Sequence, residues 1–482
     1  MAGSLSPVAY TTYAHYVRTD TFGGIYQEGD GFNVSVRYAA EGKNFDTTGG
    51  CLKCMTKGTL LDGEIESPIG TLAMLYRRFY ENAEEREVMI AAAGGNLYAK
   101  VMPYGWWEVI REGLQSDSFD YVSYEVNPEG SDAPVDVLLL TNALDGMLCV
   151  YGNDLHVEEV AIPNGKKFGI LARHAERIWG GGIPDEPDTL MYSAPYDPFN
   201  WQQNDEIPED GAGDVMQPSW DGDSFVALRP FGAQLIALKK NRVWRILGTN
   251  PGNYVFKEQF GGGTIVENTV AIRGNYMFML GYDGLMYYDG TEVSSYQKGL
   301  MKQLMARVNM DFIDRACAVM RGDVYCLALP VDGSEVNNVV LEYNIREGMF
   351  NLREGVPVRA FMSFGNDVYF TSDETPGQVW KYGEGEVLPF EWVSAWQDLD
   401  VKNATKSGFT IYLCASNDIE MKVGIRTEKK LKEKVVKLTA NKAKRLQINN
   451  SGRQFRVELS CDPGVAWELL GGLLVNLELD YD

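Results

Sequence analysis

The amino-acid sequence predicts an all-β protein: a β-propeller of six or seven blades, with an N-terminal strand segment before it and a C-terminal β-sandwich-like block after it. Two observations lead to this fold class. Hairpin-like segments recur at intervals of 40 to 57 residues through most of the chain. The 482 residues also include 26 Tyr, 10 Trp and 51 Gly. That composition favours strands joined by tight turns, because aromatic side chains suit pleated surfaces and glycine tolerates positive φ.

Each recurring unit begins with an apolar run after a turn and continues with a second alternating run, as in QLIAL followed by RVWRILG. The seven runs begin at Leu97, Leu138, Ile178, Leu235, Met277, Val324 and Val368. A period of about 40 to 50 residues with several short strands in each copy is typical of propeller blades. One blade buries only part of its apolar surface, and radial packing against its neighbours covers the rest. A β-sandwich or a pair of barrels with coincidental spacing is the alternative interpretation.

The interval between Ile178 and Leu235 is longer than the others, at 57 residues. It contains the segment QQNDEIPEDGAGDVMQPSWDGDS at positions 202–224, which is polar and rich in turn-forming residues. We interpret this segment as an insertion loop at one end of a blade and not as a further pair of strands.

These patterns divide the chain into three parts. Residues 71–390 hold the seven predicted hairpins, so they form the propeller; six blades with one separate hairpin is the other blade count that the spacing allows. Residues 1–70 are predicted as an N-terminal strand or attachment segment with turns at Gly23-Gly24 and Gly49-Gly50. Residues 391–482 contain short alternating strands such as FTIYLCAS and RQFRVELS, which predict a C-terminal β-sheet domain.

The C-terminal block contains a basic segment, Arg426 to Arg445, with nine Lys or Arg residues and two Glu residues. The chain as a whole has a formal net charge of −23. A solvated hairpin would explain such a segment. The functional interpretation is contact with an acidic partner surface, including a neighbouring copy of the same chain.

The overall charge and the cysteine usage exclude some classes of protein. A pI near 4.7 argues against binding nucleic acid through a general basic surface, because phosphate contacts need Lys and Arg. The acidic charge does not exclude a pore through which DNA passes without binding. No run approaches the roughly 18 apolar residues of a membrane span, and the N-terminus lacks a secretory-signal pattern. Seven scattered Cys indicate synthesis in a reducing cytoplasm and not a disulfide framework.

No residue pattern predicts catalysis, a cofactor or a metal, so the sequence assigns no site residue. His156 and His174 each begin an H-x-E triplet, but neither has the PCxxC partner of a deaminase. Cys51 and Cys54 form a lone CxxC without the further ligands that zinc needs. Acidic loops at 185–188 and 205–214 offer oxygen ligands for Ca²⁺, with solvated loops as the simpler interpretation.

Structural motifs in the middle of the chain carry a family resemblance. The motif Y-S…D-P…W comes first. It is followed by a strand with the motif W-x-[ILV]-x-G…P-x-x-[FY] and then by a hairpin with glycines at its turns. The matching positions are Tyr192-Ser193, Asp197-Pro198, Trp201, Trp244, Ile246, Gly248, Pro251, Tyr254, Gly281, Asp283-Gly284 and Tyr288-Asp289-Gly290. With these, the chain resembles the β-propeller structural proteins of tailed bacteriophages, in particular the packaged-DNA stabilisation or tail-nozzle proteins of short-tailed phages. The resemblance covers most of residues 20–390 and is strongest over 170–290.

The resemblance implies a virion structural protein without enzyme activity or cofactors, made in the bacterial host cytoplasm and placed in the tail or neck. It implies a ring of copies, six by the resemblance, that contacts connector and tail proteins, retains packaged DNA and lines its exit path without binding it specifically. The acidic balance suits such a conduit, because negative walls repel phosphates. The long acidic insertion and the short C-terminal block depart from the family pattern and leave the position in the virion open.

Two alternative functions stay open. A propeller-type tail receptor that binds or cleaves glycans predicts paired acids at one mouth of the central channel, whereas a purely architectural role predicts none. A cellular protein-interaction propeller predicts a groove of exposed aromatic side chains and no ring. Fold alone does not decide among these functions.

Overall fold

The computed structural model describes residues 12–26, 34–128, 133–217, 222–296, 299–462 and 464–481. It confirms the predicted fold class: seven four-stranded antiparallel sheets form the blades of a β-propeller, and two further sheets form a sandwich. The blade count is therefore seven.

The N-terminal part contributes five strands, which are divided between the sandwich and the propeller. They are β1 (Thr12–Thr19), β2 (Ala39–Lys43), β3 (Phe45–Asp46), β4 (Lys53–Cys54) and β5 (Thr56–Leu60). Strands β3 and β4 pair with each other around a 3₁₀ turn at Thr48–Gly50, and Lys53 of β4 also forms an isolated bridge with Glu468.

The first four blades are built from strands consecutive in the chain. Blade 1 contains β6 (Ile69–Tyr76), β7 (Glu87–Ala93), β8 (Asn96–Val101) and β9 (Glu108–Glu112). Blade 2 contains β10 (Asp120–Val126), β11 (Val135–Asn142), β12 (Gly146–Tyr151) and β13 (Val157–Val160). Blade 3 contains β14 (Ile170–His174), β15 (Arg177–Gly181), β16 (Thr189–Tyr192) and β17 (Gly213–Met216). Blade 4 contains β18 (Phe225–Phe231), β19 (Gln234–Lys239), β20 (Arg242–Leu247) and β21 (Val255–Phe260).

The last three blades complete the ring. Blade 5 contains β22 (Ala271–Arg273), β23 (Tyr276–Gly281), β24 (Gly284–Tyr288) and β25 (Val293–Tyr296). Blade 6 contains β26 (Cys317–Arg321), β27 (Val324–Leu329), β28 (Val339–Asn344) and β29 (Met349–Glu354). Blade 7 contains β30 (Val358–Phe364), β31 (Asp367–Ser372) and β32 (Val379–Val387), and its fourth strand is β5 from the N-terminal part.

Helix is confined to short connections between strands. The α-helix α1 (Gly299–Met305) joins blades 5 and 6. Five further 3₁₀ turns lie at Ala83–Glu85, Pro163–Gly165, Pro251–Asn253, Glu267–Thr269 and Met310–Arg315.

The ring closes between its first and last blades. The innermost strands of neighbouring blades contact one another, and β30 of blade 7 contacts β6 of blade 1. Strand β5 pairs with β32, with Thr59 opposite Lys381. The chain leaves β5 and continues directly into β6, so one segment completes the last blade and starts the first. This link removes a free blade edge that would otherwise be exposed.

The C-terminal strands form the sandwich together with β1 and β2. They are β33 (Phe390–Ser394), β34 (Ala404–Leu413), β35 (Ile419–Thr427), β36 (Leu431–Leu438), β37 (Lys444–Gly452), β38 (Phe455–Cys461) and β39 (Leu473–Tyr481). One sheet has the order β1-β39-β34-β37 and the other β2-β33-β38-β35-β36. Their inner faces bury residues such as Trp392 and Phe409, in a core continuous with that of blades 5 and 6.

The N-terminal part also joins the sandwich to the propeller. The Ile25 backbone N–H donates to the Phe350 carbonyl at 2.7 Å, and the Tyr26 N–H donates to the Ala39 carbonyl at 2.8 Å. Residues 1–70 are therefore built into both other parts of the chain and do not stand apart as a separate body.

Six of the seven predicted hairpins coincide with the second and third strands of a blade. The exception is the hairpin that begins at Leu97, which is formed by β8 and β9, the third and fourth strands of blade 1. The second strand of that blade, β7, ends at the Gly94-Gly95 turn. This turn produces the same pattern of a glycine followed by an apolar run. The sequence pattern therefore placed the hairpin of blade 1 one strand further along the chain than in the other blades.

The long polar interval was predicted as a loop without a strand pair. In the structure it carries one strand, β17, which is the outer edge of blade 3 and pairs with β16. Positions 218–221 of the interval lie outside the described residues. A single polar strand at a blade edge has only one hydrogen-bonded neighbour, so it needs little apolar sequence.

Candidate functional site

The central channel opens into a cavity near the end where six of the seven innermost strands begin, and blade 4 contributes residues from the later half of β18. The cavity has a volume of about 320 Å³ and is lined by every blade. We call this end of the ring the near face. The far face is the opposite end, which carries the loops between the first and second strands and between the third and fourth strands of each blade.

Three charged side chains from blades 2, 4 and 5 meet at this cavity. Arg229 lies 3.4 Å from Asp120 (Nη1 to Oδ2) and 3.5 Å from Glu267 (Nη2 to Oε1). The Asp120 and Glu267 carboxyl groups are hydrogen-bonded to each other. The Leu171 backbone N–H donates to Asp120 Oδ2 at 2.8 Å, which ties blade 3 into the same cluster. We call Asp120, Arg229 and Glu267 the channel cluster.

The environment of the cluster shifts the pKa of Glu267 and of Arg229. Burial and then the adjacent Asp120 carboxylate raise the pKa of Glu267 well above its ordinary value, and Arg229 opposes this only in part. Burial opposes the charge on Arg229, but Asp120 and Glu267 raise its pKa overall. The cluster thus favours the neutral form of the Glu267 carboxyl and the charged form of Arg229.

The other arginines of the cavity wall are also paired with acids. Arg173 Nη2 donates to Glu176 Oε2 at 2.8 Å, and Arg359 Nη1 donates to Asp373 Oδ1 at 2.8 Å. The Nε atom of Arg359 is buried and has no hydrogen-bond partner among the described residues. Both arginines are therefore paired with a carboxylate.

The acid pair does not have the geometry of a glycosidase. Hydrolysis needs carboxyl groups about 5 Å or more apart, so that the sugar fits between them. Asp120 and Glu267 are in direct hydrogen-bond contact. The pair can bind a polar group, but it is too close to act as the two opposed acids of glycoside cleavage.

A second charged feature lies on the sandwich. The basic segment predicted from sequence forms β36, β37 and their connecting turn, and each strand is an edge strand of its own sheet. Eight of its nine basic side chains are exposed. Six of these form neither a salt bridge nor a side-chain hydrogen bond within the described parts of the chain: Lys429, Lys430, Lys432, Lys442, Lys444 and Arg445. We call β36, β37 and the two turns on either side of β36, at 428–430 and 439–443, the basic edge.

The far face of blades 1 and 3 carries the opposite charge. The loop at 193–212 contains five acids and no Lys or Arg, and the acids are all exposed: Asp197, Asp205, Glu206, Glu209 and Asp210. Arg177 in β15 holds the loop by donating to the carbonyls of Ser193 (2.7 Å) and Gly211 (2.6 Å). The loop at 77–86 adds Glu81, Glu84 and Glu85 beside three arginines, so its own net charge is zero and the acidic excess lies in the loop at 193–212. We call these two loops the acidic face.

Exposed aromatic side chains lie beside the acidic face. Tyr104 is 92% exposed and Trp106 is 77% exposed. Tyr104 and Tyr76 line a shallow cavity of about 860 Å³ next to Glu84 and Glu87. Tyr and Trp are the side chains most often found at the centre of protein interfaces, so this region has the composition of a docking surface.

The residues considered from sequence for metal or redox chemistry are held in structural contacts. His174 is buried with Nε2 3.3 Å from the Gly248 carbonyl, and burial lowers its pKa. His156 lies against the Tyr151 ring at 4.2 Å. Cys54 Sγ accepts the Trp467 N–H at 3.2 Å, and burial raises the pKa of its thiol, whereas Cys51 is exposed.

Of the two acidic loops considered for Ca²⁺, the loop at 185–188 is partly neutralised by lysines, whereas the acids of the loop at 205–214 are exposed. Lys166 Nζ lies 2.8 Å from Glu186 Oε2, and Lys239 Nζ lies 2.5 Å from Asp188 Oδ1. Within the described ranges, no group of three or more His, Cys, Asp or Glu side chains is placed to hold a metal ion.

The motif residues behind the family resemblance lie in blades 3, 4 and 5 and in the loops that join their strands. The Tyr254 ring packs edge-on against Trp179 at 5.2 Å and Tyr192 at 5.5 Å. Trp201 Nε1 donates to the Pro198 carbonyl at 2.9 Å and its ring packs on Phe168. These residues stabilise blade packing and the start of the acidic loop.

Sequence reasoning missed the channel cluster. Asp120 begins β10, Arg229 lies within β18 and Glu267 lies in a 3₁₀ turn, and none belongs to a recognisable motif. The available signal was positional: Asp120 starts an innermost strand, Glu267 lies in the turn before another, and Arg229 interrupts the apolar sequence of a third.

No protein-family model matches the chain, and no curated protein is significantly similar to it in sequence. Among solved structures, the computationally designed Ika8 protein is 10% identical with a TM-score of 0.37, covering 68% of this chain and 100% of that one. The Pan2 WD40 domain of Neurospora crassa is 8% identical with a TM-score of 0.39, covering 68% and 97%. Among the described residues, no helix is both long and apolar enough to cross a membrane.

Proposed function

We propose that this chain is a structural protein of a tailed-phage virion, a subunit of a ring in the tail or neck that retains packaged DNA and surrounds its exit path. The observation that carries the proposal is the separation of charge between the basic edge and the acidic face. Six unpaired cationic side chains on the basic edge contrast with a chain of net charge −23. The resemblance to phage β-propeller structural proteins and this charge separation both support a role as a ring subunit.

Two different complementary surfaces on one chain favour a head-to-tail contact. Such a contact is heterologous, and repeating it by rotation closes a ring. In the proposed ring, the basic edge of one copy binds the acidic face of the next, with Tyr104 and Trp106 as apolar anchors. Lysines also protect sheet edges from unwanted pairing, and that role alone would not require an acidic counterpart.

The DNA path in this proposal is the hole of the ring and not the channel of a single propeller. The channel cavity of about 320 Å³ is small beside a duplex whose major groove alone is about 12 Å wide. Around a larger hole, the excess of acids would repel phosphates and let the DNA slide.

Assembly tests this function directly. We expect light scattering after size exclusion to give a closed oligomer, six copies by the resemblance, at about 50 mM salt, and a smaller species at about 500 mM, because salt screens charge contacts between surfaces. Negative-stain images should show a ring with a central hole. A monomer under every condition would contradict the proposal.

The triple variant Lys429→Glu, Lys432→Glu, Lys444→Glu should abolish the ring at low salt without changing the melting temperature, because none of these side chains forms an internal salt bridge among the described residues. The matched control Lys240→Glu, Lys302→Glu, Lys402→Glu makes the same charge change at exposed positions elsewhere and should assemble normally. Equal loss in both variants would show that total charge and not the basic edge matters.

A second candidate function is a tail receptor that binds glycans. One observation favours it: the hydrogen-bonded pair Asp120 and Glu267 lies at the near mouth of the channel. Because the pair is too close for hydrolysis, this candidate is restricted to binding. A glycan array with the intact protein tests it, and signal from no neutral or acidic glycan would count against it.

A further inference from the structure

Blade 1 has a cavity between its two far-face loops, which we call the blade 1 cavity. It has a volume of about 860 Å³ and is lined by residues within 76–87 and 101–105. Its apolar wall includes Tyr76, Met102 and Tyr104. Tyr104 is 92% exposed, so its own chain leaves this aromatic part of the wall without cover.

The charged part of the wall is entirely acidic. Glu84, Glu85 and Glu87 line the cavity, and none of the described residues that line it is Lys or Arg. Glu85 accepts a hydrogen bond from Asn82 at 2.8 Å. The carboxyl groups of Glu84 and Glu87 have no hydrogen-bond or salt-bridge partner among the described residues, so both are available to a cation from outside.

The three arginines of the first of these loops are engaged away from the cavity. Arg77 is buried and donates to backbone carbonyls. Arg78 Nε donates to Asp136 Oδ1 at 2.7 Å, and Arg86 Nε donates to the Tyr80 carbonyl at 3.1 Å. None of the three lines the cavity. The loop is therefore neutral as a whole but presents only negative charge to the blade 1 cavity.

The turn at 439–443 of the basic edge has the complementary charge and shape. It joins β36 to β37 and contains Lys442 and no acid. The Lys442 side chain is exposed and has no hydrogen-bond or salt-bridge partner within the described ranges. A turn extends beyond the strands that it joins, and the flanking Asn441 and Ala443 are small. Lys442 can therefore reach into a gap between two loops.

The backbone of this turn is already ordered. The Lys442 N–H donates to the Thr439 carbonyl at 3.0 Å, and the Asn441 N–H donates to the Ala415 carbonyl at 2.8 Å. An ordered turn loses little conformational entropy when it binds. The entropic cost of docking then falls mainly on the Lys442 side chain.

We propose that, in the ring, the turn at 439–443 of one copy docks on blade 1 of the next, with the Lys442 side chain in the blade 1 cavity. The aliphatic stem of the lysine packs against the apolar wall. Its ammonium group lies near the free carboxyl groups of Glu84 and Glu87 and the ring of Tyr104. The inference rests on the ring proposed above and names a contact that holds it together.

Charge complementarity favours a neighbouring copy as the occupant. The sandwich joins the propeller at blades 5 and 6, and no hydrogen bond or salt bridge between described residues links the turn to blade 1 of its own chain. The acidic cavity and the basic turn are different surfaces of one chain. A contact between them is heterologous and repeats around a ring.

The other turn of the basic edge suits the cavity less well. The turn at 428–430 contains two lysines but also Glu428, whose carboxyl accepts the Arg453 backbone N–H at 2.8 Å. Docking this turn would bring a carboxylate beside the acids of the cavity. Like charges placed together across an interface oppose association.

A carbodiimide crosslink on the assembled protein tests the contact, because this reagent joins an amine to a carboxyl group that touches it. The sample mixes chains of natural and heavy nitrogen isotope, so mass spectrometry of the peptides identifies links between copies. We expect mixed-isotope links from Lys442 to Glu84 or Glu87 at about 50 mM salt, and their loss at about 500 mM. A ring that yields no mixed-isotope link from Lys442 to either acid overturns the proposal.

Removing the charge on either side should weaken assembly. Lys442→Met keeps an aliphatic stem without the ammonium group, and Glu84→Gln with Glu87→Gln removes both free acids. Each change should raise the protein concentration at half assembly roughly tenfold or more. The melting temperature should stay unchanged, because these side chains are exposed.

Matched controls separate this contact from an effect of total charge. Lys402→Met changes an exposed lysine elsewhere on the sandwich, and Glu66→Gln with Glu112→Gln changes two exposed acids on the near face of blade 1. These variants should assemble as the unmodified protein does. A control that weakens assembly as much as its counterpart overturns the proposal.

Reversing the charges tests specificity. Lys442→Glu alone should abolish assembly at low salt, and combining it with Glu84→Lys and Glu87→Lys should restore the ring. The outcomes also separate the two proposals. A monomer under every condition contradicts the proposed function and this contact with it, whereas a normal ring from Lys442→Met overturns the contact alone.

Discussion

The propeller and the sandwich are built from the chain in opposite ways. Blades 1 to 6 each use four consecutive strands, so nearly every hydrogen-bonded pair in them is a hairpin. In the sandwich, β1 pairs with β39 and β2 pairs with β33, which joins the two ends of the chain. Blade 7 combines both patterns, since its fourth strand comes from the N-terminal part.

The difference teaches where the fold depends on distant contacts. A blade hairpin closes a short loop and loses little chain entropy, whereas β5 on β32 closes a loop of some three hundred residues. We therefore expect the closure between blades 6, 7 and 1, together with the sandwich, to limit stability. The following variants test that expectation.

The largest effect should come from Glu342 in β28. Its carboxylate accepts from Arg353 (2.7 Å), Arg321 (2.8 Å) and the Tyr382 hydroxyl of blade 7 (2.8 Å). Arg353 also donates to the Thr56 carbonyl of β5. Glu342→Gln leaves two arginines without a buried counter-charge and should lower the free energy of unfolding by about 3–5 kcal/mol, measured by urea denaturation.

The control Glu354→Gln breaks the partly exposed pair with Lys43 and should cost about 0–1 kcal/mol.

The contribution of Glu342 to stability should also depend on pH, with a defined sign. Burial opposes ionisation of Glu342, but Arg321 and Arg353 lower its pKa from 4.5 to about 2. Its contribution is therefore complete above about pH 4.5 and is lost as the pH falls toward 2. If Glu342→Gln and Glu354→Gln lowered the free energy of unfolding by similar amounts, the contacts of Glu342 at the ring closure would matter no more than a partly exposed ion pair.

A smaller effect should follow from Gly377→Ala. Gly377 has a φ of +81°, and an added Cβ would lie 1.7 Å from the Ile65 carbonyl of the segment between β5 and β6. Backbone strain and overpacking together should cost about 3 kcal/mol. Gly365→Ala, in the next turn of blade 7, has a φ of +61° and open space, so it should cost only about 1 kcal/mol. Thermal unfolding of both variants measures the added cost of the contact between residue 377 and the Ile65 carbonyl. Equal costs would mean that backbone strain at positive φ, and not this contact at the ring closure, determines the loss of stability.

The smallest effect concerns the interior of the propeller. The pKa of Glu267 is raised by burial and Asp120, so its ionisation destabilises the folded state increasingly as the pH rises above about 4.5. Glu267→Gln removes this penalty. We expect the variant to gain stability relative to the unmodified protein between pH 5 and 8, by about 1.4 kcal/mol for each pKa unit of the shift traversed.

Urea titrations across that pH range measure this gain. The exposed control Glu292→Gln should show a difference that does not change with pH. A constant difference for Glu267→Gln as well would mean that the channel acids are not coupled in solution.

Much of the fold could be predicted from the sequence, because blade strands pair with near neighbours. The runs at Leu235 and Met277 mark real second strands, since a turn and two alternating runs suffice to form a hairpin. The run at Leu97 was assigned one strand late, because the Gly94-Gly95 turn produces the same local pattern. The candidate site was not predictable, because Asp120 and Glu267 meet only across the closed ring.

The sequence by itself determined the all-β class, the recurrence of hairpins and the concentration of positive charge in one C-terminal segment, since each is a property of residues close together in the chain. Only the tertiary structure decided that seven blades close through β5, that the basic segment forms the edges of two sheets, and that three distant charges share one cavity. Those features depend on which distant segments pack together, and local turn geometry and strand periodicity carry no information about that.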